Sequence, residues 1–123
     1  MNIVDSSGWL AYLIDEKNAK FFAPAIHDTE NLLVSSINIY EVFKKIAMKV
    51  DEKIAISSIA LMKQARVIDV TEEIAFNAAK LSIEKSIPMA DSIIYTTGIL
   101  NNAIIWTQDY DFMNLPNVKF IKK

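Results

Sequence analysis

Residues 104–112 read I-I-W-T-Q-D-Y-D-F, an apolar run that turns abruptly into a polar segment with two aspartates. Consecutive large apolar residues are typical of a strand that is buried on both faces, as in a parallel sheet covered by helices. In open sheets of this kind, ligands bind beyond the carboxyl ends of the strands. Asp109 and Asp111 therefore either make hydrogen bonds within a turn or belong to a site at that edge of the sheet.

The same pattern recurs along the chain. Apolar runs predict five strands, at residues 3–4, 32–34, 67–70, 103–106 and 118–121. Helical spacing of apolar residues predicts helices at residues 9–14, 19–26, 37–50, 51–64, from Thr71 to a break at Pro88, and 89–100. Strands that alternate with helices predict an α/β fold, a three-layer α/β/α sandwich with a parallel five-stranded sheet. The length of 123 residues predicts a single domain, residues 1–123.

Composition excludes several kinds of chemistry. The chain has no cysteine, which excludes disulfides, thiolate catalysis and zinc ribbons, and its single histidine excludes RNA cleavage by a histidine pair. No apolar run is long enough to span a bilayer and the N-terminus has no basic segment typical of a signal peptide, so we expect a cytoplasmic protein with no membrane partner. The net charge of −2 disfavours a protein that coats nucleic acid by charge alone.

An aspartate also follows the first predicted strand. Asp5 comes directly after Ile3-Val4, at the same edge of the sheet as Asp109. It could serve only as the N-cap of the first helix, although Ser6 and Ser7 could also serve as caps. Both interpretations of Asp5 stay open at this point.

Two further acids begin or lie near the start of helices. Glu41 follows the second strand by little more than a helical turn, and Lys45, four residues on, could form an exposed ion pair with it. Asp91 lies in the first turn of its helix, on the same face as the apolar Ile94 and Tyr95. A carboxylate beside a packed apolar face is costly unless a positive or hydrogen-bonding group meets it, so Asp91 favours a functional role.

Four acids at one edge of a sheet would repel one another and raise their own pKa values. A hard divalent cation with oxygen ligands, Mg²⁺ or Mn²⁺, relieves this repulsion. Such an ion lowers the pKa of a bound water and stabilises charge on a phosphoryl group. Hydrolysis of a phosphodiester is the reaction class that this chemistry suggests.

Four motifs in this order resemble the PIN-domain family, and within it the VapC-type toxins of toxin–antitoxin pairs. They are N-I-V-D-S-S at residues 2–7, S-S-I-N-I-Y-E-V at 35–42, P-M-A-D-S-I-I-Y-T-T at 88–97 and T-Q-D-Y-D-F at 107–112. The resemblance covers essentially the whole chain. It implies a parallel five-stranded sheet between helices, Mg²⁺-dependent endoribonuclease activity (with Mn²⁺ as the alternative ion), a homodimer and a small antitoxin that inserts a segment into the acidic groove.

The resemblance also implies roles for individual residues. Asp5, Glu41, Asp91 and Asp109 would be the catalytic acids and the metal-binding set. Asp5, Asp91 and Asp109 would hold Mg²⁺ directly or through water, and Glu41 would also orient or deprotonate the attacking water. Three further residues would support the site. Thr107 matches the hydroxyl residue of the family's last motif, and Ser6 matches the small hydroxyl residue beside the first acid. Asp111 matches the second aspartate of the last motif and is expected at the periphery of the site.

The basic rim that would hold RNA is not obvious, because the chain has one arginine. The nearest candidates for RNA contacts are Lys17, Lys44, Lys45 and Lys49. For Lys17 and Lys49 a solvated helix face is the preferred explanation, whereas for Lys44 and Lys45, which lie close to Glu41, contact with RNA is preferred. Aromatic residues of the early helices could form an antitoxin-binding face, but at helical spacing they more commonly pack in the core; they are Trp9, Tyr12, Phe21 and Phe22.

Three other functions compete with a toxin ribonuclease. A response-regulator receiver domain would need an acidic pair after the first strand and an aspartate at the end of the third, but Asp5 precedes a serine and Asp69 precedes Val70. A catalytically inactive or solitary PIN-like module that binds or processes RNA would be expected to lack one or more of the four acids. A flap-type DNA nuclease would need long insertions for which 123 residues leave no room.

Overall fold

The computed structural model describes all 123 residues, in five strands and six α-helices. The strands are β1 (Asn2–Val4), β2 (Leu32–Ser35), β3 (Arg66–Ile68), β4 (Ile104–Thr107) and β5 (Val118–Phe120). The helices are α1 (Ser6–Leu13), α2 (Ala19–His27), α3 (Ser36–Lys49), α4 (Glu52–Met62), α5 (Glu72–Lys85) and α6 (Met89–Leu100). Single 3₁₀ turns lie at Thr29–Asn31 and Tyr110–Phe112.

All strands pair in parallel, in the order β3-β2-β1-β4-β5. The strand order reverses direction between β1 and β4, where Val4 lies opposite Trp106. A crevice outside the carboxyl ends of the strands forms at such a reversal, and ligands of open α/β sheets bind there. Asp5 follows one of these two strands and Asp109 the other, so the topology alone brings their segments together.

The sheet lies between two apolar layers, as predicted. Successive strand residues point to opposite faces: Val4 and Trp106 pack with helices α1 to α4, whereas Ile3 and Ile105 pack with α6. Gly98 permits the close approach of α6, because a Cβ at that position would lie 2.9 Å from Ile3 Cγ2. The predicted three-layer α/β/α sandwich is confirmed.

The third strand and the end of α5 differ from the prediction. Strand β3 ends at Ile68, so Asp69 follows the strand instead of lying within it, and the position of Asp69 is no argument against a receiver domain. The strand order is the valid argument, because receiver domains have the order 2-1-3-4-5. Helix α5 stops at Lys85 because Ser86 adopts a left-handed conformation with φ of 56°, two residues before the predicted break at Pro88.

The aromatic residues of the early helices belong to the core. Trp9 and Phe22 are fully buried, and Tyr12 and Phe21 are partly buried against the same cluster. The suggestion that these four form an exposed antitoxin-binding face is therefore wrong for Trp9 and Phe22, because a partner cannot reach them. None of the helices combines the length and the hydrophobicity that crossing a membrane requires.

Candidate active site

Asp5 follows β1 at the carboxyl edge of the sheet and is 1% exposed. Its Oδ1 accepts a hydrogen bond of 2.9 Å from the backbone N–H of Gly8, so Asp5 is the N-cap of α1. Ser7 does not cap the helix as the sequence allowed, but donates its hydroxyl to the Asp5 carboxylate at 2.9 Å. The capping and functional interpretations of Asp5 are thus not exclusive, because one carboxylate has lone pairs for both.

The pKa of the Asp5 carboxyl is raised from 3.8 to about 6, and burial is the largest cause. Hydrogen bonds from Thr107, Gly8 and Ser7 oppose this rise because they stabilise the charged form, and the negative charge of Asp109 adds to it. The carboxylate is therefore held in a place where it is costly to ionise without a cation.

Thr107 lies between two of the predicted acids. Its Oγ1 donates to Asp5 Oδ2 at 2.7 Å and accepts from the backbone N–H of Asp109 at 2.9 Å. The side chain is fully buried at the end of β4. One hydroxyl thus couples the ends of the two strands at which the sheet order reverses.

A chain of hydrogen bonds connects the end of β2 to the Glu41 carboxylate. The backbone N–H of Ser35 donates to Asn38 Oδ1 at 3.0 Å, and Asn38 Nδ2 donates to Ser6 Oγ at 2.9 Å. Ser6 Oγ then donates to Glu41 Oε1 at 2.7 Å. Glu41 forms no ion pair with Lys45, since the one ion pair of the structure joins Lys85 and Glu84. The ion pair with Lys45 that would have given Glu41 a purely structural role is therefore absent.

Asp91, Asp109 and Asp111 form the tightest group of acids, with one carboxylate oxygen from each lying within 4.8 Å of the others. The pKa of Asp91 is raised to about 8. Burial is the largest cause, followed by the charges of Asp109 and Asp5, a side-chain hydrogen bond with Asp111, and the charge of Glu41. All the predicted acids thus influence Asp91 electrostatically.

Asp111 differs from its predicted position at the periphery. Its carboxylate belongs to the tight group, although the residue is exposed. A hydrogen bond within the turn is made by Asp109, whose Oδ1 accepts from the backbone N–H of Asp111 at 2.9 Å, so Asp109 both closes the turn and belongs to the group. Asp109 caps the 3₁₀ turn that contains Asp111, so the two aspartates lie close together, and both carboxylates lie near that of Asp91.

The group formed by Asp91, Asp109 and Asp111 fits a divalent cation of the Mg²⁺ or Mn²⁺ type. Its donors are all carboxylate oxygens, which hard cations prefer, and no histidine or cysteine lies among them. The pKa values of Asp5 and Asp91 are raised chiefly by burial and further by neighbouring negative charges, and a bound cation would oppose both effects.

The family model of the PIN domain matches residues 3–118, which is nearly the whole chain. The chain belongs to the PIN-domain family. No curated protein is significantly similar to this PIN domain in sequence.

Several solved structures share the fold of this PIN domain. A toxin–antitoxin complex from Klebsiella pneumoniae contains a chain that is 21% identical, with a TM-score of 0.80 over 97% of this chain and 96% of that one. VapC20 of Mycobacterium tuberculosis, a sarcin–ricin loop cleaving toxin, is 15% identical with a TM-score of 0.80, over 94% and 95% of the two chains. VapBC-1 from nontypeable Haemophilus influenzae is 18% identical with a TM-score of 0.73, over 98% and 96%.

Two residues at the site of this PIN domain were not singled out from the sequence. Asn38 is fully buried and positions Ser6, and Ser7 bonds to the carboxylate of Asp5. Asn38 lies three residues before Glu41 on the same helix, a spacing that places both on one face. The sequence signal that could have identified Asn38 as a site residue was its position one helical turn before the candidate acid Glu41.

Proposed function

We propose that this PIN domain is a Mg²⁺-dependent endoribonuclease, with Mn²⁺ as an alternative ion, that hydrolyses phosphodiester bonds of RNA. The observation that carries the proposal is the group formed by Asp91, Asp109 and Asp111, with oxygens within 4.8 Å of one another. The buried Asp5 lies close enough for its charge to raise the pKa of Asp91. Such a concentration of carboxylates destabilises the fold without a cation, so its presence is better explained by function than by packing.

Asp5, Asp91 and Asp109 would hold the cation, and Asp111 joins them by virtue of its distance from Asp91 and Asp109. When bound, the ion would lower the pKa of a water and offset the negative charge of the phosphoryl group. Thr107 keeps Asp5 and Asp109 in fixed relation, because its hydroxyl bonds to both residues.

Glu41 is the residue suited to orient a water or accept its proton. Ser6 donates to Oε1, and no protein donor contacts Oε2, which leaves that oxygen free to accept a hydrogen bond from water. The chain of bonds through Asn38 fixes the direction in which the Glu41 carboxylate points. A general base needs this kind of fixed geometry before its pKa matters.

Cleavage of single-stranded RNA by the wild type and by Asp5→Asn, Asp91→Asn and the double variant tests the proposal. We expect Mg²⁺-dependent cleavage by the wild type, its loss in each variant, and circular dichroism spectra that show an intact fold. Asp69→Asn is the matched control, because Asp69 is an exposed aspartate that follows β3 outside the acidic group. Unchanged cleavage by the double variant would show that a contaminating ribonuclease is responsible. RNA binding without cleavage in Mg²⁺ and in Mn²⁺ would favour the inactive RNA-binding module.

We infer further that the protein is the toxin of a type II toxin–antitoxin pair. The support is that its structural neighbours include a chain of a toxin–antitoxin complex and a sarcin–ricin loop cleaving toxin. Co-expression with the small protein encoded by a neighbouring gene should give a complex in which cleavage is blocked. Free cleavage in the presence of that bound protein would contradict this assignment.

A homodimer is the third part of the proposal. Helices α5 and α6 expose large apolar side chains around an apolar groove of about 410 Å³, with Ile83 84% exposed, Met89 70% and Phe76 66%. Exposed apolar side chains in one patch are typical of a protein interface. A second copy of this chain is the occupant that we propose for this patch.

A further inference from the structure

Helix α3 carries a row of lysines that begins at the active site. Glu41, Lys45 and Lys49 follow one another at four-residue spacing, so they lie on one face of the helix. Each step of four residues advances about 6 Å along the axis, which places Lys45 about 6 Å and Lys49 about 12 Å from Glu41 in that direction. Both lysines are exposed.

A shallow groove lies on one side of this row. It has a volume of about 580 Å³ and is lined by Tyr40, Glu41, Lys44, Lys45, Met48 and Lys49. Three lysines and one glutamate give its lining a net positive charge, although the whole chain has a net charge of −2. Because no lysine of the groove forms an ion pair, these charges are available to a partner.

A second groove of about 260 Å³ lies on the other side of the row. Lys45 and Lys49 line it as well, together with Lys123 from the C-terminus and one acid, Glu16. Ser7 and Gln108 also line it, and both adjoin the acidic site, since Ser7 bonds to Asp5 and Gln108 precedes Asp109. The two grooves therefore flank a positively charged strip that connects directly with the carboxylates.

Tyr40 provides an aromatic surface at the end of the strip nearest the site. It is 59% exposed, and Lys44 Nζ lies 5.7 Å from the centre of its ring. Bases of unpaired nucleotides stack on exposed aromatic rings, whereas bases of a duplex are already stacked on one another. An exposed aromatic ring beside a lysine thus fits a single strand better than a duplex.

We propose that single-stranded RNA lies along α3, with its phosphates on Lys45 and Lys49 and a base on Tyr40, so that the scissile phosphate reaches the acidic site. This inference rests on the proposed endoribonuclease function and names the strand that carries the substrate to it. It would also allow an acidic protein with a single arginine to bind RNA, because Lys44, Lys45 and Lys49 are gathered along one groove.

The test measures binding of a labelled single-stranded RNA to the uncleaving Asp91→Asn protein in Mg²⁺ at a series of salt concentrations. Each phosphate contact to a single strand contributes a slope of about −0.7 in log K against log salt, so Lys45→Ala with Lys49→Ala should make the slope shallower by about 1.4. Between about 0.05 and 0.2 M salt, the parent should therefore lose about seven-fold more affinity than the double variant. Lys53→Ala with Lys63→Ala is the matched control, since both lysines are exposed on or beside α4 and line neither groove.

Tyr40 is tested in the same Asp91→Asn protein. Tyr40→Ala should weaken binding of the single strand about five-fold or more, and Tyr40→Phe should bind like the parent, because stacking needs the ring and not the hydroxyl. Equal binding of a duplex of the same sequence would overturn the single-strand assignment.

An unchanged salt slope in the Lys45 and Lys49 double variant would overturn the inference, as would an equal loss in the Lys53 and Lys63 control. Lysine-dependent binding of an acidic peptide without binding of RNA would also overturn it and would assign the strip to a protein partner. Cleavage by the wild type is measured separately. An absence of cleavage combined with lysine-dependent RNA binding would refute the proposed nuclease activity while leaving the RNA surface in place.

Discussion

Replacing Asp5 with asparagine should stabilise the metal-free protein at alkaline pH. The pKa of Asp5 is raised from 3.8 to about 6 in the folded state, chiefly by burial. A raised carboxyl pKa means that the stability present below the unfolded pKa is lost as the pH rises through the folded pKa. A shift of about two units at 1.36 kcal/mol per unit corresponds to about 3 kcal/mol lost between about pH 4 and pH 8.

Asparagine removes this dependence while keeping the local structure. It is as good an N-cap as aspartate, so its Oδ1 can still accept from the N–H of Gly8. Its Nδ2 can donate to Thr107 Oγ1, which is the partner of Asp5 Oδ2. The variant should therefore melt close to the wild type near pH 4, and about 10 °C above it near pH 8, given the usual relation between free energy and melting temperature.

Thermal melts in EDTA followed by circular dichroism at several pH values measure this difference. Asp69→Asn is again the control, because it makes the same substitution at an exposed aspartate outside the acidic group. Excess Mg²⁺ at pH 8 should raise the melting temperature of the wild type more than that of Asp5→Asn. At a Mg²⁺ concentration one hundred times the dissociation constant, the free energy of unfolding of the wild type should increase by about 2.7 kcal/mol. A gap between wild type and Asp5→Asn that stays constant from acid to alkaline pH would refute the reasoning.

Three other substitutions test separate parts of the structure. Thr107→Val keeps the shape of a fully buried residue but removes both hydrogen bonds, so it should cost about 1–3 kcal/mol of stability in chemical denaturation and reduce cleavage. Glu41→Gln should lower kcat for RNA cleavage by about 10²-fold or more while Mn²⁺ binding by calorimetry persists; equal loss of both would contradict a role for Glu41 in water activation. Ile83→Asp should convert the proposed dimer into a monomer in light scattering while leaving the fold intact, since the side chain is 84% exposed. A wild type that is already monomeric would contradict the proposed interface.

The raised pKa values of Asp5 and Asp91 have a common meaning for stability and function. Both acids are costly to ionise in the metal-free fold, and both are needed by the proposed reaction. Substitutions that neutralise them are thus expected to stabilise the protein and to inactivate it at the same time. This opposition between stability and activity is common at active sites.

Much of the fold and part of the site were predictable because they depend on neighbouring residues. An apolar run bounded by polar residues predicts a buried strand, and parallel strands bring their carboxyl ends to one edge, so Asp5 and Asp109 could be placed from their positions after β1 and β4. Asp91 could be placed from its position in the first turn of α6, where the apolar face of the helix leaves a carboxylate without an obvious structural reason. Strand ends were less predictable, as β3 shows, because a strand stops where its pairing partner stops.

The relations between distant segments were decided only by the tertiary structure. Thr107 contacts Asp5 across 102 residues and Ser6 contacts Glu41 across 35. These contacts depend on which strands are neighbours, and strand order is a property of how helices pack on both faces of the sheet rather than of any local pattern. The sequence by itself determined which carboxylates would reach the edge of the sheet. The packing of the chain decided that Asp111 joins Asp91 and Asp109, and that the lysines of α3 extend outward from Glu41.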